Sequence, residues 1–165
     1  MKLIPLSKKG KNKGKYFAVV NDEDYDLCMQ WNWSVEVCIN TQYAMRVTKE
    51  KEKIYMTRFL LGLKRGNVLT GEHRDGNGLN NQRNNIREAT QSENRKNKIN
   101  PYGSSKYLGV NANPAYRKKK MFIAKIVINK KQKHLGSFEN EIDAAKCYNE
   151  NAKKYHGEFA RLNKF

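Results

Sequence analysis

The sequence predicts an α+β fold divided between two modules, and three features carry that expectation. Residues 2 to 56 break into short runs that alternate apolar and polar side chains. Residues 68 to 98 read as strand, loop, strand, helix. Beyond a joint rich in Pro, Gly and Ser, three more strand-like runs give way to a helical period.

In chain order, LIPL and KYFAVV flank the turn-rich KKGKNKG, read as a solvated hairpin tip, and the acidic NDEDYDLCMQW is expected to be helical. WSVEVCI, QYAMRV and KIYM follow as strands, with Trp31 and Trp33 assigned to the core. Next, Val68 to Glu72 is extended, and RDGNG after His73 carries the turn pairs Asp75-Gly76 and Asn77-Gly78. Thr90 and Glu93 then form a capping box that starts a helix at TQSENRKNK, with Asn94 in its first turn.

The stretch INPYGSSK marks a boundary, which separates a module over residues 1 to 98 from one over 104 to 165, with 99 to 103 as linker. The second module opens with KYLGVNA, MFIAKIVI and QKHLGSF, parted by Pro114 with the basic turn YRKKK and by NKK. In ENEIDAAKCYNENAKKYHG, Ile142, Ala145, Tyr148, Ala152 and Tyr155 recur at spacings of three and four, so a helix ending at Gly157 should pack on one sheet face. Alternation then sends Phe122, Ala124, Ile126 and Ile128 to the helix and Met121, Ile123, Lys125 and Val127 to the free face.

Charge narrows the partner. The 165 residues carry a net +17, which rises from +2 over residues 1 to 50 to +6 over 51 to 100 and +9 over 101 to 165. Such an excess points to a polyanion, nucleic acid or an anionic membrane face. The membrane is disfavoured because no apolar run approaches the roughly 20 residues of a span and no basic amphipathic helix has a broad apolar face. The N-terminus has no secretory pattern, so a cytoplasmic, DNA-associated protein is expected. Cys28, Cys38 and Cys147 are widely spaced with no C-x-x-C pair, which suggests small core residues rather than disulfides or a thiolate zinc site.

The asparagine-rich GEHRDGNGLNNQRNNIREATQSEN holds a single histidine beside a carboxylate. Phosphodiester hydrolysis needs a water deprotonated near neutral pH, a task for imidazole with its ordinary pKa of about 6.5. It also needs charge stabilised on phosphoryl oxygens, which a hard divalent cation on oxygen ligands can do. Glu72, His73 and Asn94 contain those groups, whereas Asn77, Asn80, Asn81 and Asn84 are read as turn residues.

The pattern E-H-x-D-G-N-x-x-N-N-x-x-x-N-I-R…S-E-N resembles the HNH endonucleases of phages and group I intron homing endonucleases. That resemblance implies a ββα-metal core over about residues 55 to 98. It makes His73 the general base and Asn85 the group that orients its imidazole. Glu72 and Asn94 would be ligands of one divalent metal, Mg2+ or Mn2+, and Arg87 would assist at the phosphate. Two positions depart from the family: Glu72 stands where Asp is usual, and Thr57 where His is frequent.

The series SSKYLGV, MFIAKI and KHLGSFENEIDAAKCYNENAKKYHGEFARLN is similar to the AP2 DNA-binding domain, whose three-stranded sheet enters the major groove. By position it places Asn111, Asn113, Lys125, Val127, Gln132 and His134 on the DNA side. Asn and Gln suit adenine edges there, and Lys suits guanine or phosphate. Arg117 to Lys120, with Lys119 among them, and Lys130, Lys131 and Lys133 are expected to grip phosphates. Together the resemblances imply a metal-dependent DNA endonuclease that nicks double-stranded DNA, acting as a monomer or weak dimer. The other reading is a DNA-binding regulator with an inactive HNH module.

Overall fold

A computed structural model describes residues 1–7, 9–39, 41–96, 104–113 and 121–165. They form a mixed α+β protein in two compact units, Met1–Asn94 and Arg95–Phe165. The expected linker at 99 to 103 and the basic turn with Arg117 and Lys119 lie outside the described residues.

The first unit opens with an antiparallel hairpin of β1 (Lys2–Leu6) and β2 (Tyr16–Val20). Period 2 sends Ile4, Leu6, Ala18 and Val20 into the core and leaves Leu3 and Phe17 outside. Helix α1 (Asp22–Met29) starts where the sequence turns acidic, and Asp22, Glu23 and Asp24 in its first turn complement the positive end of the helix dipole. Strands β3 (Ser34–Val37), β4 (Gln42–Val47) and β5 (Lys53–Tyr55) make a three-stranded antiparallel sheet. Short α2 (Met56–Leu60) follows directly. A second hairpin pairs β6 (Thr70–His73) with β7 (Ile86–Ala89), and α3 (Gln91–Lys96) closes the run.

One apolar cluster holds these pieces together: Ile4, Leu6, Val20, Cys28, Trp33, Met56, Leu60 and Ile86 share it. Trp33 also donates its indole N–H to the Cys28 carbonyl at 2.8 Å, which satisfies its one polar atom. Trp31 is not in the core as expected: it is 42% exposed, and the Arg46 guanidinium lies 3.9 Å from its ring centre. An aromatic face stacked by a cation can remain at the surface, which periodicity alone does not reveal. Of the three cysteines only Cys28 is a core residue; Cys38 is exposed and Cys147 half-buried.

In the second unit β8 (Val110–Ala112), β9 (Phe122–Ile128) and β10 (Lys131–Phe138) form an antiparallel sheet with β9 central. Helix α4 (Glu141–His156) lies on one face, with Asn140 accepting from the Ile142 amide at its start and Gly157, at φ 55°, ending it. Phe122, Ala124 and Ile126 meet Ala144, Ala145, Tyr148 and Ala152, as alternation requires. The helix seam differs from expectation, because the buried residues are Ala144, Ala145, Tyr148, Ala152 and His156 while Ile142 is 39% exposed. At about 100° per residue Ile142 falls roughly 100° from the centre of that stripe.

Candidate functional site

The Asn-rich loop between β6 and β7 is pinned from three sides. Val19 donates its amide to the Leu79 carbonyl and accepts from the Asn81 amide, both at 2.8 Å, which ties the loop to β2. Arg83 binds the buried Asp24 carboxylate with two nitrogens, at 2.8 and 2.6 Å, and donates to the Leu60 carbonyl at 2.6 Å. This fork fixes the loop to α1 and α2 together. Gly78 presses onto β4, since a Cβ there would sit 2.3 Å from the Gln42 carbonyl oxygen and 2.4 Å from the Tyr43 ring.

Within the loop Asp75 is the hub. Its carboxylate accepts from the Asn77 amide at 2.8 Å, the Asn80 side chain at 2.8 Å and the Asn85 side chain at 3.0 Å. Asn85 returns the bond by accepting from the Asp75 amide at 3.1 Å and donates again to the Asn80 carbonyl at 2.7 Å. The expected amide contact to the imidazole is therefore not made by Asn85, whose capacity goes to closing the loop.

Asn81 makes that contact instead. It is fully buried, and its Oδ1 lies 3.2 Å from His73 Nε2. Thr57 Oγ1 lies 2.9 Å from the same Nε2 and donates to Asn81 Oδ1 at 2.9 Å. Neither residue was expected in the site. Thr57 was legible only as a departure from the family pattern, and Asn81 is one amide among many until the loop is folded against β2.

Strand alternation divides the hairpin. Gly71 and His73 face Thr57, and a Cβ on Gly71 would lie 2.6 Å from the Thr57 methyl. The His73 ring is only 7% exposed, with its centre 6.0 Å from that of Tyr43, and burial pushes its pKa below the ordinary value against smaller opposing effects of Asn81 and Asp75. Neutral imidazole, the form that accepts a proton, is thus the favoured form.

Glu72 and its cross-strand partner Arg87 occupy the other face. Arg87 Nε donates to Glu72 Oε2 at 2.5 Å, and both side chains are at least nine-tenths buried. Arg87 is thus turned to the carboxylate. Glu72 Oε1 is buried without a hydrogen-bond partner among the described residues. Asn94 lies in the first turn of α3, its amide bonded to the Thr90 carbonyl at 3.0 Å. The capping box ahead of it forms as expected: the Thr90 amide donates to Glu93 Oε2 at 2.8 Å, and the Glu93 amide to Thr90 Oγ1 at 3.2 Å.

An orphaned buried carboxylate oxygen is costly unless something binds it. Among the described residues no group of three or more His, Cys, Asp and Glu could hold a metal ion. Glu72 Oε1 and the Asn94 side-chain carbonyl are oxygen donors of the type a hard cation takes.

On the second unit the register gathers the expected contact residues on one face. Asn111 pairs with Ile123 and Ile123 with Ser137; Lys125 pairs with His134; Val127 pairs with Gln132. The Asn113 amide donates to the Met121 carbonyl at 2.8 Å. Ile123, Lys125 and Val127 alternate with the residues that meet α4, so the row points away from the helix. A bulge between His134 and Gly136 turns Leu135 back to the helix side. Lys133 departs from the expected phosphate grips, because its partner across the strands is Ile126 and its ammonium donates to Tyr155 Oη on α4 at 3.0 Å. Comparisons with family models, with curated proteins and with solved structures find no match to the chain.

Proposed function

We propose that the protein is a metal-dependent DNA endonuclease that hydrolyses phosphodiester bonds through the β6–β7 hairpin and binds double-stranded DNA through the β8–β10 sheet. The observation that carries this reading is the pairing, at adjacent positions, of a buried neutral-favoured imidazole with a carboxylate that keeps one unpartnered oxygen. His73 takes the proton of the attacking water. Since Glu72 and His73 face opposite sides, a phosphate served by both sits at the hairpin end, where β6 passes into the loop. Asn85 and Asp75 hold that loop closed, and Arg87 fixes the Glu72 carboxylate by its second oxygen. A divalent cation on Glu72 Oε1 and the Asn94 side-chain carbonyl would supply charge stabilisation at the phosphate. The basic excess over the last two thirds of the chain supplies salt-sensitive affinity, and the sheet row supplies base-edge contacts.

A second reading, a DNA-binding regulator, is favoured by one observation: Arg87 already neutralises Glu72. Incubating the purified protein with duplex DNA and Mg2+ or Mn2+, then with chelator, separates the two. Metal-dependent nicks support the nuclease, and binding without cleavage at any salt supports the regulator.

A further inference from the structure

The first unit has a cavity of about 920 Å³ between the β4–β5 turn and the segment that runs from α2 toward β6. That is the upper end of the roughly 300–1,000 Å³ usual for small-ligand pockets, so the space suits a nucleotide or a short single strand and is too small for a duplex. Its walls are of two kinds. Ile54, Phe59 and Leu63 supply half-buried apolar surface, whereas five lysines and arginines stand against two glutamates. Pairing removes part of this charge: Lys53 donates to Glu36 at 2.6 Å, and Arg65 pairs with Glu52. Arg58 donates to neutral acceptors, the Leu69 carbonyl at 3.2 Å and the Lys64 carbonyl at 2.6 Å, which ties the connecting loop to α2 and leaves the guanidinium charge uncompensated. The exposed Lys51 and Lys64 have no acidic partner among the described residues. Glu50, whose carboxyl is held below its ordinary pKa by its own amide and by Thr48, offsets one of these three cations.

The backbone singles out Lys51. At φ 63° it occupies the left-handed region, which glycine adopts at no steric cost and lysine does not. Turn geometry therefore does not account for a lysine there. The chain repeats the arrangement at Lys130, φ 65°, in the β9–β10 turn expected to grip phosphate. From the cationic excess, the apolar wall and the volume we infer that this cavity binds nucleotides of a single-stranded nucleic acid, with Lys51, Arg58 and Lys64 on the phosphates and Phe59 against a base. Grooves for single strands combine these features, a basic track for the backbone and aromatic surface for the bases. The cations stand on two separate segments, the β4–β5 turn and the α2–β6 connection, which suits successive phosphates of a strand better than one free nucleotide. The inference concerns binding and does not rest on cleavage.

Anisotropy of a labelled oligothymidylate of about eight nucleotides, a length single-strand sites cover, tests this with the full-length protein in chelator. The double variant Lys51→Gly, Lys64→Ala keeps the backbone carbonyl that Arg58 binds. It should lower oligothymidylate affinity roughly tenfold and reduce the slope of log affinity against log salt by about 1.4, as expected for two phosphate contacts on a single strand. Affinity for a duplex of the same length should change by less than about twofold, since the duplex is assigned to the β8–β10 sheet. Equal loss for strand and duplex, or no loss for either, overturns the inference. Lys51→Gly alone should unfold in urea at an equal or higher midpoint, because glycine relieves the backbone, and a lower midpoint would make Lys51 structural and remove its role. Thymidine monophosphate separates the two sources of the ligand: binding to the wild type as tight as that of the oligonucleotide overturns the strand in favour of a free nucleotide. Plasmid nicking is scored separately. Nicking with unaltered oligothymidylate affinity in the variant removes this inference and leaves the nuclease reading, and the expected affinity loss in a protein that never nicks does the reverse.

Discussion

On the β6–β7 hairpin the polar groups are buried and bond to one another, whereas on the β8–β10 sheet they stand in a row away from the helix. His73, Asn81 and Thr57 are each less than one-tenth exposed, while Val127 on the sheet is 54% exposed. The nuclease reading we propose would account for the difference by two tasks. A proton-transfer group gains from a fixed orientation, which burial among hydrogen-bonding neighbours provides. A face proposed to meet DNA would give up water to its partner, and its side chains here are placed by strand register. Unit 1 therefore depends on its hydrogen-bond network, and unit 2 on charge and register.

Substitutions that strike one region alone should separate the two. The largest expected effect is His73→Ala, which should slow single-turnover cleavage by about 100-fold or more while DNA affinity, measured by anisotropy, stays within about twofold. Equal loss of both would make His73 structural. Arg83→Ala should come next, since it strands the Asp24 carboxylate, whose side chain is 5% exposed, and frees the Asn-rich loop. A loss of about 3 kcal/mol in urea unfolding is expected. Binding through the second unit should persist, and unchanged stability would mean that the fork does not hold the loop.

Lys125→Ala tests the other side. It should weaken DNA binding several-fold, and if Lys125 meets phosphate the slope of log affinity against log salt should fall by about one. Cleavage at saturating DNA should hardly change, and the reverse pattern would place Lys125 in the chemistry. The smallest effect concerns pH. Because burial lowers the His73 pKa in the folded state, the unfolded chain binds the extra proton first as pH falls. Stability should be complete above the unfolded value of about 6.5 and decline as pH drops toward the folded pKa. His73→Gln should flatten that part of the profile, and an unaltered slope would assign it to other groups.

The sequence made these two regions legible to different degrees. Alternation in MFIAKIVI was enough to place Ile123, Lys125 and Val127 on the free face, because a sheet with a helix on one side converts period 2 directly into inside and outside. The capping box at Thr90 and Glu93 was equally readable, being local in the chain. The partners of His73 were not. Asn81 and Asn85 have the same side chain four positions apart, and the chain segment alone does not say which amide reaches the ring. That choice is made by contacts distant in sequence: Val19 with Asn81, Asp24 with Arg83, and Gln42 and Tyr43 with Gly78. Trp31 and Ile142 were misplaced for a related reason. Apolar content indicates what can be buried, but the position of a neighbour such as Arg46, or the exact line of the seam, decides what is.

Cleavage of supercoiled plasmid by the wild-type protein and by His73→Ala, each with Mn2+ and again after chelation, tests the central claim most directly. The account predicts metal-dependent conversion to nicked circles by the wild type, its abolition by chelator, and none by His73→Ala at protein concentrations where both bind the plasmid. Bound plasmid left intact by the wild type with Mg2+ and with Mn2+, or cut equally by His73→Ala, would contradict it.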